Sequence, residues 1–225
     1  MAAAGRKSRP TLQPAPGTPA GVVETDGRRA RSIRTRAVII DAFLALLREK
    51  GAPLTAAEIG RRAGCSTRSV FERFADFKSL YAAAFDHAVQ SGLAIPVGDI
   101  PSQDRKTRIA FQVKVRAINC ENWLPLWRVI LRARGEFGSQ DVLQARVTLV
   151  RGMSRARVEM MYEPELAAVS ADRREATLIA IEALTDYEAW GRMREHYSLS
   201  FEEACAVWRM MIDQLLPPTP PPVSS

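Results

Sequence analysis

Residues 55–74 constrain the fold more than any other stretch of the chain, because they predict two short helices joined by a tight turn. Thr55 and Glu58 fit a capping box, in which each side chain bonds to the backbone N–H of the other residue. Gly64 can adopt the left-handed conformation that ends a helix, and Ser66 is a favourable N-cap for the next helix. This spacing predicts a helix-turn-helix unit.

The apolar residues of the second short helix indicate which of its faces is buried. Val70 and Phe74 are four residues apart and therefore share an inner face. That leaves an outer face with the polar side chains of Thr67, Arg68, Ser69 and Arg73. Short hydroxyl donors and a guanidinium suit base edges and phosphates, so the pattern predicts a DNA-recognition helix. The alternative is a helical hairpin of an ordinary bundle.

A periodic helix precedes this unit and another follows it. Residues 46–51, 58–66 and 70–80 together resemble, in order and spacing, the DNA-binding domain of the tetracycline-repressor (TetR) family. The resemblance implies an all-α chain with an N-terminal three-helix helix-turn-helix DNA-binding domain. A larger helical ligand-binding and dimerisation domain would follow. The rest of the sequence is compatible with that second domain but carries no motif that matches it.

The candidate DNA contacts differ in what each side chain can recognise. Arg68 can bond the O6 and N7 atoms of guanine together, and Thr67 and Ser69 are further base-reading candidates. Thr55 and Lys78 are better placed for phosphates, which set the register of a protein on DNA without reading sequence. The full candidate set is Thr55, Ser66, Thr67, Arg68, Ser69, Phe71, Arg73 and Lys78.

Three positions depart from the pattern of the family. Phe71 stands where the family usually has Tyr, and Phe77 stands where it usually has Lys. Arg68 occupies the position of the usual Gly. The departures remove two of the expected phosphate contacts and add one candidate base contact.

The basic charge of the chain is concentrated at its N-terminus. The 225 residues carry a formal net charge of +7, and residues 1–36 hold eight of the Arg and Lys residues but two of the acids. Residues 1–32 are rich in Pro, Gly, Ala, Thr and Arg without periodicity, so we predict a disordered basic arm. Such an arm suits a phosphate backbone, but a solvated tail without a partner fits equally well.

Proline and glycine positions predict the remaining boundaries. We expect the DNA-binding domain at 33–78, the regulatory and dimerisation domain at 79–216 and a disordered Pro-rich tail at 217–225. A fourth helix would follow the recognition helix and link the two domains. Asn122 and Pro125 predict the start of a separate helix, with the proline in its first turn.

Large apolar side chains recur in the second domain. They are candidates for the lining of an apolar cavity, which the family resemblance implies, and the alternative for each of them is an ordinary core position. Their chemistry favours a small apolar or aromatic ligand, whose identity the sequence does not give. The candidates are Trp123, Trp127, Met153, Met160, Tyr187 and Trp190.

The last two predicted helices are candidates for dimerisation. The family resemblance implies a four-helix bundle built from two such helices of each subunit. The alternative is that the same apolar stripes pack on the core of the chain itself. Ser200 and Glu203 predict a capping box at the start of the final helix. The candidate dimer residues are Ala180, Ala183, Leu184, Tyr187, Ala204, Trp208, Met211 and Ile212.

Other functional classes have no pattern in this sequence. Cys65, Cys120 and Cys205 give no disulfide framework or metal-ligand spacing, and His87 and His196 are isolated. The sequence contains no Gly-rich phosphate loop and no Ser-His-Asp order, so we predict no metal, no cofactor and no enzymatic activity. No apolar run approaches the ~18 residues of a membrane span, and no signal sequence is recognised, which predicts a cytoplasmic protein.

Together these patterns predict a sequence-specific transcriptional regulator, with repression as the commoner outcome in the family and activation as the alternative. We expect a homodimer on a near-palindromic site in double-stranded DNA, with two recognition helices about 34 Å apart. A small ligand would release it from DNA. The alternative function is that of a protein with the same fold that binds small molecules or protein partners and has lost specific DNA binding.

Overall fold

The computed structural model of the protein describes residues 21–51, 53–93, 98–137 and 142–221, and no strand occurs among them. The predicted all-α fold class is therefore confirmed. The helical segments are α1 (Gly21–Lys50), α2 (Ala56–Ala63), α3 (Thr67–Arg73), α4 (Phe77–Leu93), a 3₁₀ turn (Ile100–Ser102), α5 (Arg105–Phe137), α6 (Val142–Met161), α7 (Glu163–Ala167), α8 (Ala171–Leu184), α9 (Tyr187–Gly191), a π-helical turn (Arg192–His196) and α10 (Phe201–Leu215).

Helix α1 begins well before the predicted start of order. It runs from Gly21, so the predicted disorder is wrong for residues 21–32, while residues 1–20 lie outside the described part of the chain. Four prolines precede Gly21, and no further proline occurs before Pro53, so nothing in the sequence breaks a helix in between. The chain divides into two compact units after Ala37, and α1 contributes to both of them.

The helix-turn-helix forms because the apolar residues of three helices meet. Ile39 and Phe43 of α1, Ile59 of α2, and Val70 and Phe74 of α3 are almost fully buried in one apolar cluster. Burial of a side chain of this size contributes about 1.5–3 kcal/mol. Helices of eight and seven residues, such as α2 and α3, are too short to be stable alone, so this shared core holds the unit together.

Two glycines permit the tight turn between α2 and α3. Gly64 has a φ of 68°, in the left-handed region that was predicted for it. Gly60 lies inside α2, and a Cβ atom there would come within 2.9 Å of the carbonyl oxygen of Cys65. The backbone N–H of Cys65 donates to the Gly60 carbonyl at 2.9 Å. This close approach requires glycine at position 60, a constraint that was not among the predictions from the sequence.

Helix α4 packs against the helix-turn-helix near its start and against the larger helical domain further along. The ring centroids of Tyr81 and Phe43 lie 5.6 Å apart. One turn later, the ring centroid of Phe85 lies 6.4 Å from that of Trp127 on α5. The domain boundary predicted after Lys78 falls within the first turn of α4, so one helix is shared by both predicted domains.

Helix α5 is continuous over Arg105–Phe137, so the helix start predicted at Asn122 is wrong. Pro125 lies inside this helix, where it lacks the N–H that would bond the carbonyl four residues earlier, at a cost of about 3 kcal/mol. The neighbouring Leu126 and Ile130 are buried, and burial of each contributes about 1.5–3 kcal/mol. Packing of the residues that follow the proline therefore outweighs its penalty and keeps the helix continuous.

The described part of the C-terminal tail is attached to the body, contrary to the disorder predicted for residues 217–225. Arg105 Nη1 donates to the backbone carbonyl of Pro217, and the Thr219 hydroxyl donates to the carboxylate of Glu165. Glu165 is completely buried. Buried polar groups need hydrogen-bond partners, and the tail supplies one here. The remainder of the tail lies outside the described residues.

Candidate nucleic-acid interface and ligand cavity

Helix α3 presents a mixed polar and apolar face to solvent. Its exposed residues are Thr67, Arg68, Phe71 and Glu72, with 88% of the Arg68 side chain and 47% of Phe71 accessible. Their spacing of one and four residues places them on one side of the helix. An exposed guanidinium, a hydroxyl and an aromatic ring are thus available together on this face.

The hydroxyl groups at the starts of α2 and α3 are engaged within the chain. Thr55 Oγ1 accepts the backbone N–H of Glu58 at 3.2 Å, and the Thr55 backbone N–H donates to the Glu58 carboxylate at 2.9 Å, which confirms the predicted capping box. The bonds from the Thr55 backbone and hydroxyl lower the pKa of Glu58 to about 2. Ser66 Oγ accepts the backbone N–H of Ser69 at 3.1 Å, which confirms the predicted N-cap. A DNA phosphate would have to share these hydroxyls.

Arg68 forms an ion pair along α3. Its Nε donates to Glu72 Oε1 at 3.0 Å. An exposed pair of this spacing contributes about 0.3–0.5 kcal/mol, so DNA can replace the carboxylate at little energetic cost. The spacing of four residues makes this pair visible in the sequence. Ser69 and Arg73, predicted on the same outer face, are half-buried instead.

Phe77 contributes to the packing of α4. It is half-buried, and its ring centroid lies 5.9 Å from that of Tyr81. Lys78, the next residue, is also half-buried and is the cationic side chain of the first turn of α4. The phenylalanine at the position of the family's usual lysine therefore has a structural, apolar role.

A cavity of ≈ 400 Å³ lies between α4, α5 and α6, beside the start of α9. Phe85, Ala88 and Val89 are the residues by which α4 lines it. The structure brings most of the predicted ligand-binding residues together around this cavity: Trp123, Trp127, Met153, Met160 and Tyr187. Helix α4 therefore contributes both to this cavity and to the core of the helix-turn-helix.

Two arginines that were not predicted as ligand-binding residues line the cavity, Arg116 from α5 and Arg157 from α6. Arg116 Nε donates to the carbonyl of Thr185 at 2.7 Å, and its guanidinium lies 4.7 Å from the ring centroid of Tyr187. Arg157 Nε donates to Gln112 Oε1 at 3.1 Å. Both arginines lie at helical spacing from predicted cavity residues. Arg116 is seven residues before Trp123, and Arg157 is four residues after Met153.

No family model and no curated protein matches the sequence, whereas solved structures match the fold. A protein from Rhodococcus sp., described as a TetR-family transcriptional regulator, has a TM-score of 0.59 at 17% identity, over 81% of this chain and 98% of that chain. Another, from Mesorhizobium loti MAFF303099, has a TM-score of 0.51 at 15% identity, over 82% and 96%. MexZ of Pseudomonas aeruginosa, described as a key repressor responsible for antibiotic resistance, has a TM-score of 0.52 at 15% identity, over 83% and 96%. The chain has the TetR fold.

In this TetR fold, α8 and α10 pack against each other, and the capping box predicted at the start of α10 is confirmed. Ala204, Trp208 and Ile212 are buried within the chain itself, so they do not form the dimer surface that was predicted from them. Met211 is half-buried, and Tyr187 is buried at the cavity. The apolar stripe of α10 is therefore the face that packs on the core. The sequence did not show this, because a helix face buried within one chain and a face buried between two chains have the same periodicity.

The remaining candidate dimer residues lie on α8 at or near the surface. Ala183 and Leu184 are exposed, and Ala180 is half-buried. Two larger apolar side chains that were not predicted are more exposed: Ile179 on α8 is 53% accessible and Met210 on α10 is 61% accessible. The exposed apolar side chains of these two helices of the TetR fold therefore include Ile179 and Met210 in addition to the predicted Ala183 and Leu184.

Trp190 lies away from the cavity, contrary to the prediction that it binds ligand. It is completely buried, and its ring centroid lies 4.9 Å from that of Trp208. Its Nε1 donates to Glu121 at 2.7 Å. Arg194 also donates to Glu121, at 3.0 Å, and this bond lowers the pKa of that carboxyl. Trp190 therefore ties α9 to α5 and α10 within the TetR fold.

The cysteines give no sign of reactive chemistry. Cys65 is half-buried, whereas Cys120 and Cys205 are buried, and burial raises the pKa of Cys120 to about 11. Across residues 21–51, 53–93, 98–137 and 142–221, no group of three or more His, Cys, Asp or Glu side chains could hold a metal ion. None of the helices in these ranges is long and apolar enough to cross a membrane.

Proposed function

We propose that the chain is a sequence-specific DNA-binding transcriptional regulator, and specifically a repressor that acts in the cytoplasm as a homodimer on a near-palindromic site. The observation that carries this proposal is the exposed face of α3, which belongs to a helix-turn-helix within the TetR fold. MexZ, which shares this fold, is described as a repressor.

The exposed residues of α3 would read the bases. Arg68 suits guanine, because its guanidinium can bond O6 and N7 together, and the methyl group of Thr67 and the ring of Phe71 suit the thymine methyl group. Side chains at the helix starts and beside this face would position the protein on phosphates or support the base contacts. These are Thr55, Ser66, Ser69, Arg73 and Lys78.

Helix α4 would transmit the effect of a ligand. Arg146 of α6 holds Asp86 of α4 through two bonds, of 2.7 Å and 2.6 Å. Phe85, the preceding residue, lines the cavity. A ligand that displaces Phe85 or shifts α6 would move α4 and with it the helix-turn-helix. Release from DNA requires the ligand to bind the displaced arrangement more tightly than the DNA-bound one.

A second copy of the chain is the proposed partner of the outward face of α8 and α10. Ile179 on α8 and Met210 on α10 each expose a large apolar side chain, and the core of a homodimer interface is apolar. Met210→Glu should therefore convert a dimer into a monomer in sedimentation velocity. Leu149→Glu is the matched control, since Leu149 is 56% exposed on α6, and it should leave the dimer intact. A dimeric Met210→Glu variant would place the interface elsewhere.

The decisive experiment is a binding selection from random duplex DNA with the purified protein at physiological salt. We expect a near-palindromic consensus, because two recognition helices of a dimer meet successive major-groove faces. A variant with Thr67, Arg68 and Phe71 changed to Ala should bind without enriching that consensus. If the unchanged protein enriches no sequence and binds only weakly in a salt-sensitive way, the proposal is wrong, and the fold serves ligand or protein binding instead.

A further inference from the structure

We propose that the ligand of the α4–α6 cavity is an aromatic carboxylic acid, bound as its anion by Arg157 and Arg116. Its role as a releasing ligand rests on the proposed function, whereas its binding can be measured without DNA. The inference starts from the charge of the cavity wall. The residues known to line the cavity, all in the described part of the chain, include these two arginines and no carboxylate.

Arg157 contacts neutral groups at the cavity. Its Nε donates to the neutral amide oxygen of Gln112, and its guanidinium lies 5.7 Å from the ring centroid of Phe111. Its Nη2 is buried without a hydrogen-bond partner. Burial lowers the pKa of Arg157, but a guanidinium stays charged in proteins. A buried cationic nitrogen that lacks a partner is stabilised by an incoming anion.

Other arginines of the same helices have carboxylate partners within the chain, which makes Arg157 different. The pairs are Arg105 with Asp213, Arg108 with Glu165, Arg128 with Glu188, Arg146 with Asp86 and Arg155 with Glu175. The sequence thus provides an acid for a buried or half-buried arginine where the fold needs one. Arg157 at the cavity bonds to a neutral amide instead, whereas Arg116 interacts electrostatically with Asp186.

Three acids lie close to the cavity, and each of them also contacts a group outside it. They line an adjoining space that shares Arg116 and Arg157 with the cavity. Glu182 lies 3.7 Å from Arg155, and Glu188 pairs with Arg128 at 3.1 Å. Asp186 accepts the backbone N–H of Ala189 and caps α9. Glu182 and Glu188 therefore lie against arginines outside the cavity, whereas the charge of Asp186 also acts on Arg116.

The rest of the cavity wall suits the apolar part of such an acid. Trp123, Trp127 and Phe85 provide aromatic surface, and Met153 and Met160 provide flexible apolar surface. Aromatic rings stack favourably on aromatic side chains, and methionine adapts to irregular shapes. A volume of ≈ 400 Å³ accommodates a small ligand with one to a few rings. The apolar wall therefore favours a ligand with an aromatic or aliphatic part, and the two guanidinium groups favour a ligand that also carries one acidic group.

The test compares acids with amides of the same shape, using benzoate, 2-naphthoate and 4-phenylbenzoate against their primary amides. Isothermal titration of the full chain without DNA measures each affinity. We expect the best acid to bind about 10- to 100-fold more tightly than its amide, as a charge-assisted hydrogen bond implies. Arg157→Gln should weaken acid binding by about the same factor and leave amide binding unchanged. The control Arg132→Gln, at an exposed arginine of α5, should change neither affinity.

Three results would overturn the inference: no binding of any acid to the unchanged protein, equal binding of an acid and its amide, or a preference for the acid that survives Arg157→Gln. The comparison of each acid with its amide in the unchanged protein tests the ligand class even if the Arg157→Gln variant folds poorly. A gel-shift assay with the selected DNA site then separates the two proposals. Acid binding without release from DNA would contradict the proposed regulation, while a selected DNA site without any acid preference would contradict the ligand class.

Discussion

The helix-turn-helix and the larger helical domain hold their charged side chains in different ways. On α3, Arg68 pairs with an acid four residues away on the same exposed helix. In the larger domain, Arg105 pairs with Asp213, 108 residues away, and Arg146 pairs with Asp86, 60 residues away. The first kind of pair stabilises one turn of helix, whereas the second fixes how helices lie against each other.

This difference bears on what each region can bind. An exposed local pair is worth a fraction of a kcal/mol and can be exchanged for a phosphate or a base. The larger domain also contains a buried pair between helices, Arg108 with Glu165, which cannot be opened without leaving a charge in the interior. Arg68 on α3 therefore remains available for binding, whereas the larger domain uses several arginines to hold helices together, with Arg157 of the cavity as the exception.

The largest expected difference is in the free energy of unfolding after one ion pair of each kind is broken. Arg108→Met leaves the fully buried Glu165 without its cation, and we expect a loss of about 3–5 kcal/mol in the free energy of unfolding. Arg68→Met breaks the exposed local pair with Glu72 and should cost less than about 1 kcal/mol. Urea titration measures both. Losses of equal size would show that the two regions do not differ energetically.

In the helix-turn-helix, a substitution that disturbs the backbone packing should reduce stability more than the loss of an exposed ion pair. In Gly60→Ala, the added Cβ meets the Cys65 carbonyl, and overpacking of this kind costs about 1–3 kcal/mol. Gly152→Ala is the matched control, because Gly152 lies inside α6 with open space around it and should become more stable by about 0.5–1 kcal/mol. Thermal unfolding of both variants tests the prediction, which fails if Gly60→Ala is neutral.

Removing the local pair should affect DNA binding and not stability. Arg68→Ala should lower DNA affinity by ~1–3 kcal/mol and relax the preference at one base position. Glu72→Gln should raise affinity, since it removes a negative charge beside the DNA and releases Arg68 from its 3.0 Å bond. Fluorescence anisotropy on the selected site and its single-base variants measures both. An equal loss of the Arg68→Ala variant on every sequence would assign Arg68 to a phosphate.

The smallest expected effect concerns pH. The capping box lowers the pKa of Glu58 to about 2, so its contribution to stability is full above its ordinary pKa of about 4.3 and declines as the pH falls towards 2. Glu58→Gln keeps a capping side chain but does not titrate. The difference in stability between the two proteins should therefore shrink between about pH 5 and pH 3. A constant difference would mean that the carboxylate charge adds nothing to the cap.

The helix-turn-helix was predictable because its signals are local. Thr55 with Glu58 and Ser66 with Ser69 bond within a single turn, and Gly64 determines its own conformation. Gly60 was missed because its constraint comes from a backbone atom across the turn, which no periodicity reveals.

The larger domain was less predictable because its decisive contacts join distant residues. The stripe of α10 around Trp208 indicates burial, but the sequence does not say whether this chain or a second one covers it. Trp190 could not be placed for the same reason, since its partners Glu121 and Trp208 lie on other helices. Pro125 was misplaced because local propensity does not measure the packing that holds α5 together.

Helix α4 brings its two ring contacts within one turn of each other. Tyr81, against Phe43, and Phe85, against Trp127, are four residues apart, or about 6 Å along the axis. A rigid helix rotates both rings through the same angle. Ligand entry and the response of the helix-turn-helix should then be a single kinetic event, with one relaxation time shared by the fluorescence of Trp127 and by the release of DNA.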